Sequence, residues 1–266
     1  MRRMITAMSR ILTMLCAALA LAACASAPGT PAVADLAPTG KLRAAINFGN
    51  PILATKAASG EPTGVSVDLA RELGTRLGVP VELVTFESAG KVVAAVAQWD
   101  VAFLAVDPAR AGEIAFTAPY VVIEGAYLVP AGSPIRENAQ VDRAGTRVVV
   151  GAGSIYDLYL ARELKQATLV RAPTSPAVTD MMVAQRLDVA AGIKQQLEAD
   201  AKRVPGVRLL DGRFMVINQA MGTPQGREAG ARYLRALVEE MKASGFVARS
   251  LARHRIEGAA VAPPGP

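Results

Sequence analysis

From residue 42 onward the chain alternates short apolar runs with apolar stripes at helical spacing. Leu42 to Ile46 predicts a strand, and Val67, Leu69, Ala70, Leu73 and Leu77 mark one face of a helix that Gly78 and Pro80 end. Val81 to Phe86 predicts a second strand and Lys91 to Gln98 a helix with Val92, Val93 and Val96 inward. Val101 to Val106 is a continuous apolar run, the pattern of a parallel strand covered on both faces. These elements make a βαβαβ unit. A second unit follows at similar spacing, with strands at Arg147 to Val150, Thr168 to Arg171 and Asp188 to Ala191. Its first helix opens on a capping box, Ser154 with Asp157 three residues on, and runs to Lys165. Its second opens on Ser175-Pro176 and runs to about Arg186. Val121 to Tyr127 joins the units. The chain then returns through strands at Val207 to Leu210 and Phe214 to Ile217. A helix from Arg227 to Ala243 carries Ala231, Leu234, Leu237 and Met241 on one face.

One polar signal interrupts the apolar strand ends. Asp107-Pro108 supplies a helix N-cap followed by proline at the first helical position, so the chain turns sharply after the third strand, and Arg110 rides on that turn. In open α/β sheets ligands collect at the carboxyl ends of strands, and a planar guanidinium placed there suits bidentate recognition of a carboxylate. Asp107 is accounted for by its capping role. Asn47 and Asn50 follow the first strand on the same edge, where an amide can donate and accept; the competing reading is a loop asparagine satisfying its own backbone. Phe86, Ser88 and Gly90 end the second strand and start the next helix, a second edge of a pocket, although Phe86 equally fits a core position. Gly151 to Ser154 reads GAGS at a helix start, where Gly153 and Ser154 offer amides to an anionic group. A dinucleotide fingerprint is not met there, because Tyr156 stands at the third glycine and Arg171 lies where an acid is needed.

The run WDVAFLAVDPARAGEIAFTAPYV, residues 99 to 121, resembles the periplasmic solute-binding proteins of family 3, the receptors of polar amino-acid ABC importers. Arg110, Phe116, Pro119 and Tyr120 match that family's spacing, and the likeness extends from about Gly40 to Phe246. The resemblance implies an α/β, two-lobe periplasmic-binding-protein-like fold of type II. Each lobe is then a mainly parallel sheet flanked by helices, with the ligand cleft between lobes. It implies lobe 1 at residues 39–122 and 216–256 and lobe 2 at 123–215, and it makes Arg110 the clamp on a ligand carboxylate. Two departures stand out. Phe103 and Ala105 replace the small polar residues that precede the arginine. Ile193 stands where an aspartate pairs the ligand ammonium, with Lys194 next to it as a cation for an anionic partner. The ligand is then a small polar carboxylate, an amino acid or a related organic acid, and the partner an ABC permease. The alternative is an enzyme on the same scaffold, similar to a cyclohexadienyl dehydratase, with Glu87, Glu124, Asp107 or Lys194 as acid or base. A ligand-sensing docking protein is the other alternative.

The start of the chain bears on compartment. Arg2, Arg3 and Arg10 precede an apolar run from Ile11 to about Ala22, the pattern of a secretory signal over 1–23. Leu21-Ala22-Ala23-Cys24 resembles a lipobox, which makes Cys24 a lipid anchor and places the protein in the periplasm or at the cell surface. The other reading is ordinary cleavage with Cys24 incidental. Residues 24–38, rich in Ala and Pro, then read as a tether and 257–266 as a flexible tail.

Composition narrows the chemistry further. The two cysteines, Cys16 and Cys24, both lie in or at the end of the signal, so the folded part has no disulfide or thiolate metal site and no cofactor is expected. The one histidine, His254, reads as a solvated helix residue. The net charge of +6 falls to +3 once the three signal arginines are set aside, and no basic stripe with interleaved aromatics occurs, which argues against nucleic acid. A monomer is expected.

Overall fold

The computed structural model describes residues 30–265; the signal and Cys24 lie outside the described residues. The first unit forms as β1 (Leu42–Asn47), α2 (Val65–Leu77), β4 (Val81–Phe86), α3 (Ala89–Ala94) and β5 (Val101–Ala105), after a short helix α1 (Thr30–Leu36). A small hairpin, β2 (Thr55–Lys56) with β3 (Pro62–Thr63), precedes α2. β1 is the middle strand, parallel to β4 on one side and β5 on the other. Every residue of β5 is buried, as its unbroken apolar run requires. The predicted helix to Gln98 is split: α3 ends at Ala94 and a single 3₁₀ turn covers Val96–Gln98.

The second unit repeats that topology. β7 (Arg147–Gly151), α5 (Ile155–Glu163), β8 (Thr168–Ala172), α6 (Val178–Ala184) and β9 (Val189–Ile193) follow in order, with β7 in the middle and parallel to β8 and β9. Helix α7 (Lys194–Arg203) and β10 (Val207–Leu209) come next. The junction differs from the short link expected from sequence, because β6 is one continuous strand, Ile114–Pro130. β11 (Met215–Pro224) runs antiparallel to it and to β5, well past the predicted end at Ile217. The strand order β4-β1-β5-β11-β6-β9-β7-β8 thus sets two parallel groups of three about a central antiparallel pair. Phe116, Pro119 and Tyr120 of the FTAPY motif lie on β6; Tyr120 is fully buried and meets Phe103 edge-on at 6.3 Å.

Helix α2 buries Val67, Leu69, Ala70, Leu73 and Leu77, the stripe read from sequence, and Gly78 ends it in the left-handed conformation. Helix α8 (Glu228–Ala243) buries its predicted face. A further helix, α9 (Phe246–Arg253), holds Asp68 of α2 through Ser250 Oγ at 2.6 Å and Arg253 Nη1 at 3.1 Å.

Three expectations for the margins are corrected. The stretch read as tether contains α1, whose Leu36 is completely buried and whose Asp35 carboxylate accepts from the Gly230 amide at 2.9 Å. The stretch read as a flexible tail contains β12 (Ala260–Val261), paired with β6, and Gly265 donates to Glu239. His254, expected to be solvated, is half-buried: its Nε2 sits 2.9 Å from Asp68 and closes the cluster that pins α9 to α2. In each case a partner distant in sequence supplies what local composition does not signal. Among the described residues no helix is long and apolar enough to cross a membrane.

Candidate functional site

The carboxyl ends of all six parallel strands point at one place. β1 contributes Asn47 and Asn50, the segment after β4 contributes Ala89, and β5 contributes Leu104, Ala105 and, past the turn, Arg110. From the second group come Ser154 and Tyr156 after β7, Ser175 after β8 and Ile193 at the end of β9. The central pair adds Gln219, delivered where β11 shifts register against β6 between Gln219 and Ala220. The cavity is about 20 Å³, room for about one water, so the two groups meet closely across it.

Arg110 is the charged residue in that lining. Asp107 caps its four-residue helix α4 (Pro108–Ala111), accepting from the Ala109 amide at 2.9 Å, and this cap with Pro108 turns Arg110 inward. The side chain is 3 % exposed. Its Nη1 donates to Ala105 O at 2.8 Å and its Nη2 crosses the cavity to Gly153 O at 3.0 Å. Both acceptors are neutral carbonyls, and burial pulls the guanidinium down to about 10, opposed by Asp107. Asp107 does more than cap: Arg162 of α5 reaches across and donates to both its oxygens, at 2.8 and 3.2 Å. That ion pair bridges the groups, and its partners lie 55 positions apart in sequence.

The polar groups beside Arg110 are uneven in how well they are satisfied. Asn47 Oδ1 accepts from the Gly49 amide at 2.9 Å, the local loop role that competed with a ligand role. Asn50 Oδ1 and the Tyr156 hydroxyl are buried without a hydrogen-bond partner. Burial raises Tyr156 to about 12, so its proton stays on; the Ser175 and Ser154 hydroxyls lie near enough to oppose that rise but do not meet hydrogen-bond geometry with it. Unpartnered buried polar atoms cost stability unless something else meets them, and these two belong to residues that line one cavity.

Several predicted residues lie elsewhere. Phe86 pairs with Asn47 in register but packs against the small core cluster around Trp99 rather than lining the cavity. Ser88 is the N-cap of α3, accepting from Lys91 at 3.4 Å. The GAGS amides are not free to hold an anion: Ala152 N donates to Ala172 O, Gly153 N to Asp157 Oδ2 and Ser154 N to Gly151 O. Ser154 Oγ is likewise taken by the Asp157 amide at 3.0 Å, which completes the predicted cap. Gly153 touches the site through its carbonyl instead. Lys194 does not line the cavity, because Glu124 of β6 holds its ammonium at 3.0 Å, and Arg213 holds the same carboxylate at 2.6 Å. Those hydrogen bonds, from Arg213 and then Lys194, keep Glu124 below the usual carboxylate range.

Sequence reasoning does not find Tyr156, Ser175 and Gln219 as cavity residues. Gln219 shares its strand with Asn218 and Thr223, so its polarity alone does not single it out. Tyr156 lies in the first turn of a helix whose small hydrophobic periodicity gives no facing direction.

Comparison with known proteins agrees with this fold. The model of the family described as bacterial extracellular solute-binding proteins, family 3, matches residues 42–255. A solved solute receptor for L-cysteine of Neisseria gonorrhoeae superimposes with a TM-score of 0.74 at 21% identity, covering 86% of this chain and 95% of its own. A mutant of ArgBP from T. maritima gives 0.73 at 18% identity, with 85% and 100% covered. The ancestral amino acid-binding protein AncCDT-1, a precursor of cyclohexadienyl dehydratase, gives 0.69 at 20% identity, with 80% and 95% covered. At these identities the likeness establishes the fold. A comparison with curated proteins finds no match.

Proposed function

Because the chain belongs to the bacterial extracellular solute-binding proteins, family 3, we propose that it captures a small carboxylate-bearing solute between its two strand groups and hands it to an ABC importer. The groups act as lobes, 39–122 with 216–256 and 123–215, joined by β6 and β11. The observation that carries this reading is Arg110, a buried cation whose hydrogen bonds go to neutral carbonyls at the meeting point of six strand ends. A buried charge calls for a counter-charge, and a carboxylate supplies one with matching bidentate geometry. A cavity of about 20 Å³ admits no such solute, so capture begins with separation of the lobes and ends with closure. Ligand then bridges Arg110 to Ser154, Tyr156 and Ser175. Cys24 would anchor the protein by lipid outside the cytoplasm, and the working form is a monomer.

The dehydratase-like alternative draws no support from the side chains that would serve it. Glu87 pairs with Lys56, Glu124 with Lys194 and Arg213, and Asp107 with Arg162. The test is thermal unfolding against a panel of amino acids, hydroxy acids and dicarboxylates, for wild type and Arg110→Ala. A ligand at a hundred times its Kd stabilises by about 2.7 kcal/mol, a plain shift in Tm. Loss of that shift in the variant supports the clamp; an unchanged shift removes it.

A further inference from the structure

The charge balance of the cavity narrows the class of solute, a selectivity that rests on the receptor function proposed above. Arg110 brings one positive charge into a space it shares with neutral side chains. No carboxylate lines the space, and the two that neighbour its lining residues are held by arginines. Asp107 is held by Arg162 and the Ala109 amide, Asp157 by Arg171 and the Gly153 amide. Asp107, Arg162 and Arg110 together therefore still leave one positive charge uncompensated.

An amino acid is a zwitterion with no net charge. Its carboxylate would meet Arg110, but its ammonium would be enclosed near a cation with amide, hydroxyl and apolar neighbours, and burying an ion without a counter-ion is costly. A monoanion balances the site. Ile193, 3 % exposed at the end of β9, presents an apolar wall from the second lobe where a counter-charge to an ammonium would be useful. The two unpartnered atoms suit a neutral hydroxyl: Asn50 Oδ1 accepts its proton, and the protonated Tyr156 hydroxyl donates to its oxygen.

We propose that this site selects small hydroxy-monocarboxylates over the isosteric amino acids, reading the carboxylate with Arg110 and a neutral hydroxyl with Asn50 and Tyr156. L-Lactate and L-alanine differ at one group, hydroxyl against ammonium, and glycolate and glycine form a second such pair.

Calorimetric titration of the purified protein with both pairs tests this directly. The hydroxy acids should bind about a hundredfold more tightly than their amino counterparts, the scale of an unpaired buried charge, and Arg110→Ala should lose them. Ile193→Asp places a carboxylate in the wall and should reverse the preference, with its melting profile reporting whether it folds; if it does not, the wild-type comparison decides alone. Amino acids binding as tightly as hydroxy acids, with both lost in Arg110→Ala, would overturn this selectivity while leaving the carboxylate receptor standing. Absence of binding across both pairs and the wider acid panel would instead bring down the receptor reading and this inference with it.

Discussion

Gly90 of the first strand group and Gly153 of the second meet so closely that a β-carbon on Gly153 would lie 2.8 Å from the Gly90 α-carbon. Gly153 has a positive φ of 67° and so favours glycine for its own backbone, but Gly90 sits in the first turn of α3 with ordinary helical geometry. The glycine at 90 is therefore explained by approach and not by conformation.

Gly90→Ala separates closure from stability. Alanine improves helix propensity by about 1 kcal/mol, while its methyl would stand 3.3 Å from the Gly153 α-carbon and crowd the closed form. Melting temperature in the absence of ligand should hold or rise, and affinity should fall about fivefold, the effect of about 1 kcal/mol of overpacking. Equal affinity would mean that closure does not bring these residues together.

Arg162→Ala tests the bridge to Asp107. Arg162 is 46% exposed, so the pair contributes about 0.2 to 1 kcal/mol. Losing it should weaken ligand binding about twofold to fivefold and make the remaining affinity less sensitive to salt. Asp107 retains its cap on α4, so helix content by circular dichroism should not change.

Asp100 is fully buried between Arg43, at 2.8 Å, and Arg227, at 2.7 Å, and so ties β1 to the start of α8. Burial alone would raise its pKa, yet the hydrogen bonds from Arg43 and Arg227 prevail and hold it below the ordinary value. A carboxylate depressed in the folded state contributes stability above its unfolded pKa of about 3.9, and that contribution is lost as pH falls through the lowered folded value. Asp100→Asn should cost about 3 kcal/mol at neutral pH. Its denaturant midpoint should also depend less on pH below about 4 than that of wild type. A parallel pair of acid profiles would contradict the assignment.

Leu36→Ala asks whether α1 is part of the folded body. Its side chain is fully buried, with Gly230 of α8 against it, so the cavity left should cost about 2 to 5 kcal/mol in chemical denaturation. A change within about 0.5 kcal/mol would return the segment to the tether expected from its composition.

What could be read from sequence was local. The apolar run at Val101, the stripe from Val67 to Leu77 and the Asp107-Pro108 cap each encode their conformation within a few residues, and together they place Arg110 at the carboxyl end of β5. The continuity of β6 was hidden because Pro119 and Gly125 interrupt it; β11 accommodates both, Pro119 opposite Ala220 where the register shifts and Gly125 opposite Met215. Docking of α1 depends on Asp35 meeting Gly230, 195 positions away, and the Asp107 bridge depends on a helix in the other unit. The place of Lys194 is hidden for the same reason, since Glu124, its partner, lies 70 positions upstream.

Both margins of the described chain fasten to one helix. α1 docks on α8 at Gly230, and the terminal segment returns to α8 through Lys242, which donates to Pro263 O, and Glu239, which accepts from Gly265. The group built on β7, β8 and β9 is met where Gly258 lies against Gln195 of α7, while these hydrogen bonds hold both margins to α8. If the lobes swing, the one carrying Tyr156 and Ile193 is the moving leaf and the one carrying Arg110 is the fixed jamb. A support attached at either margin then bears chiefly on the jamb.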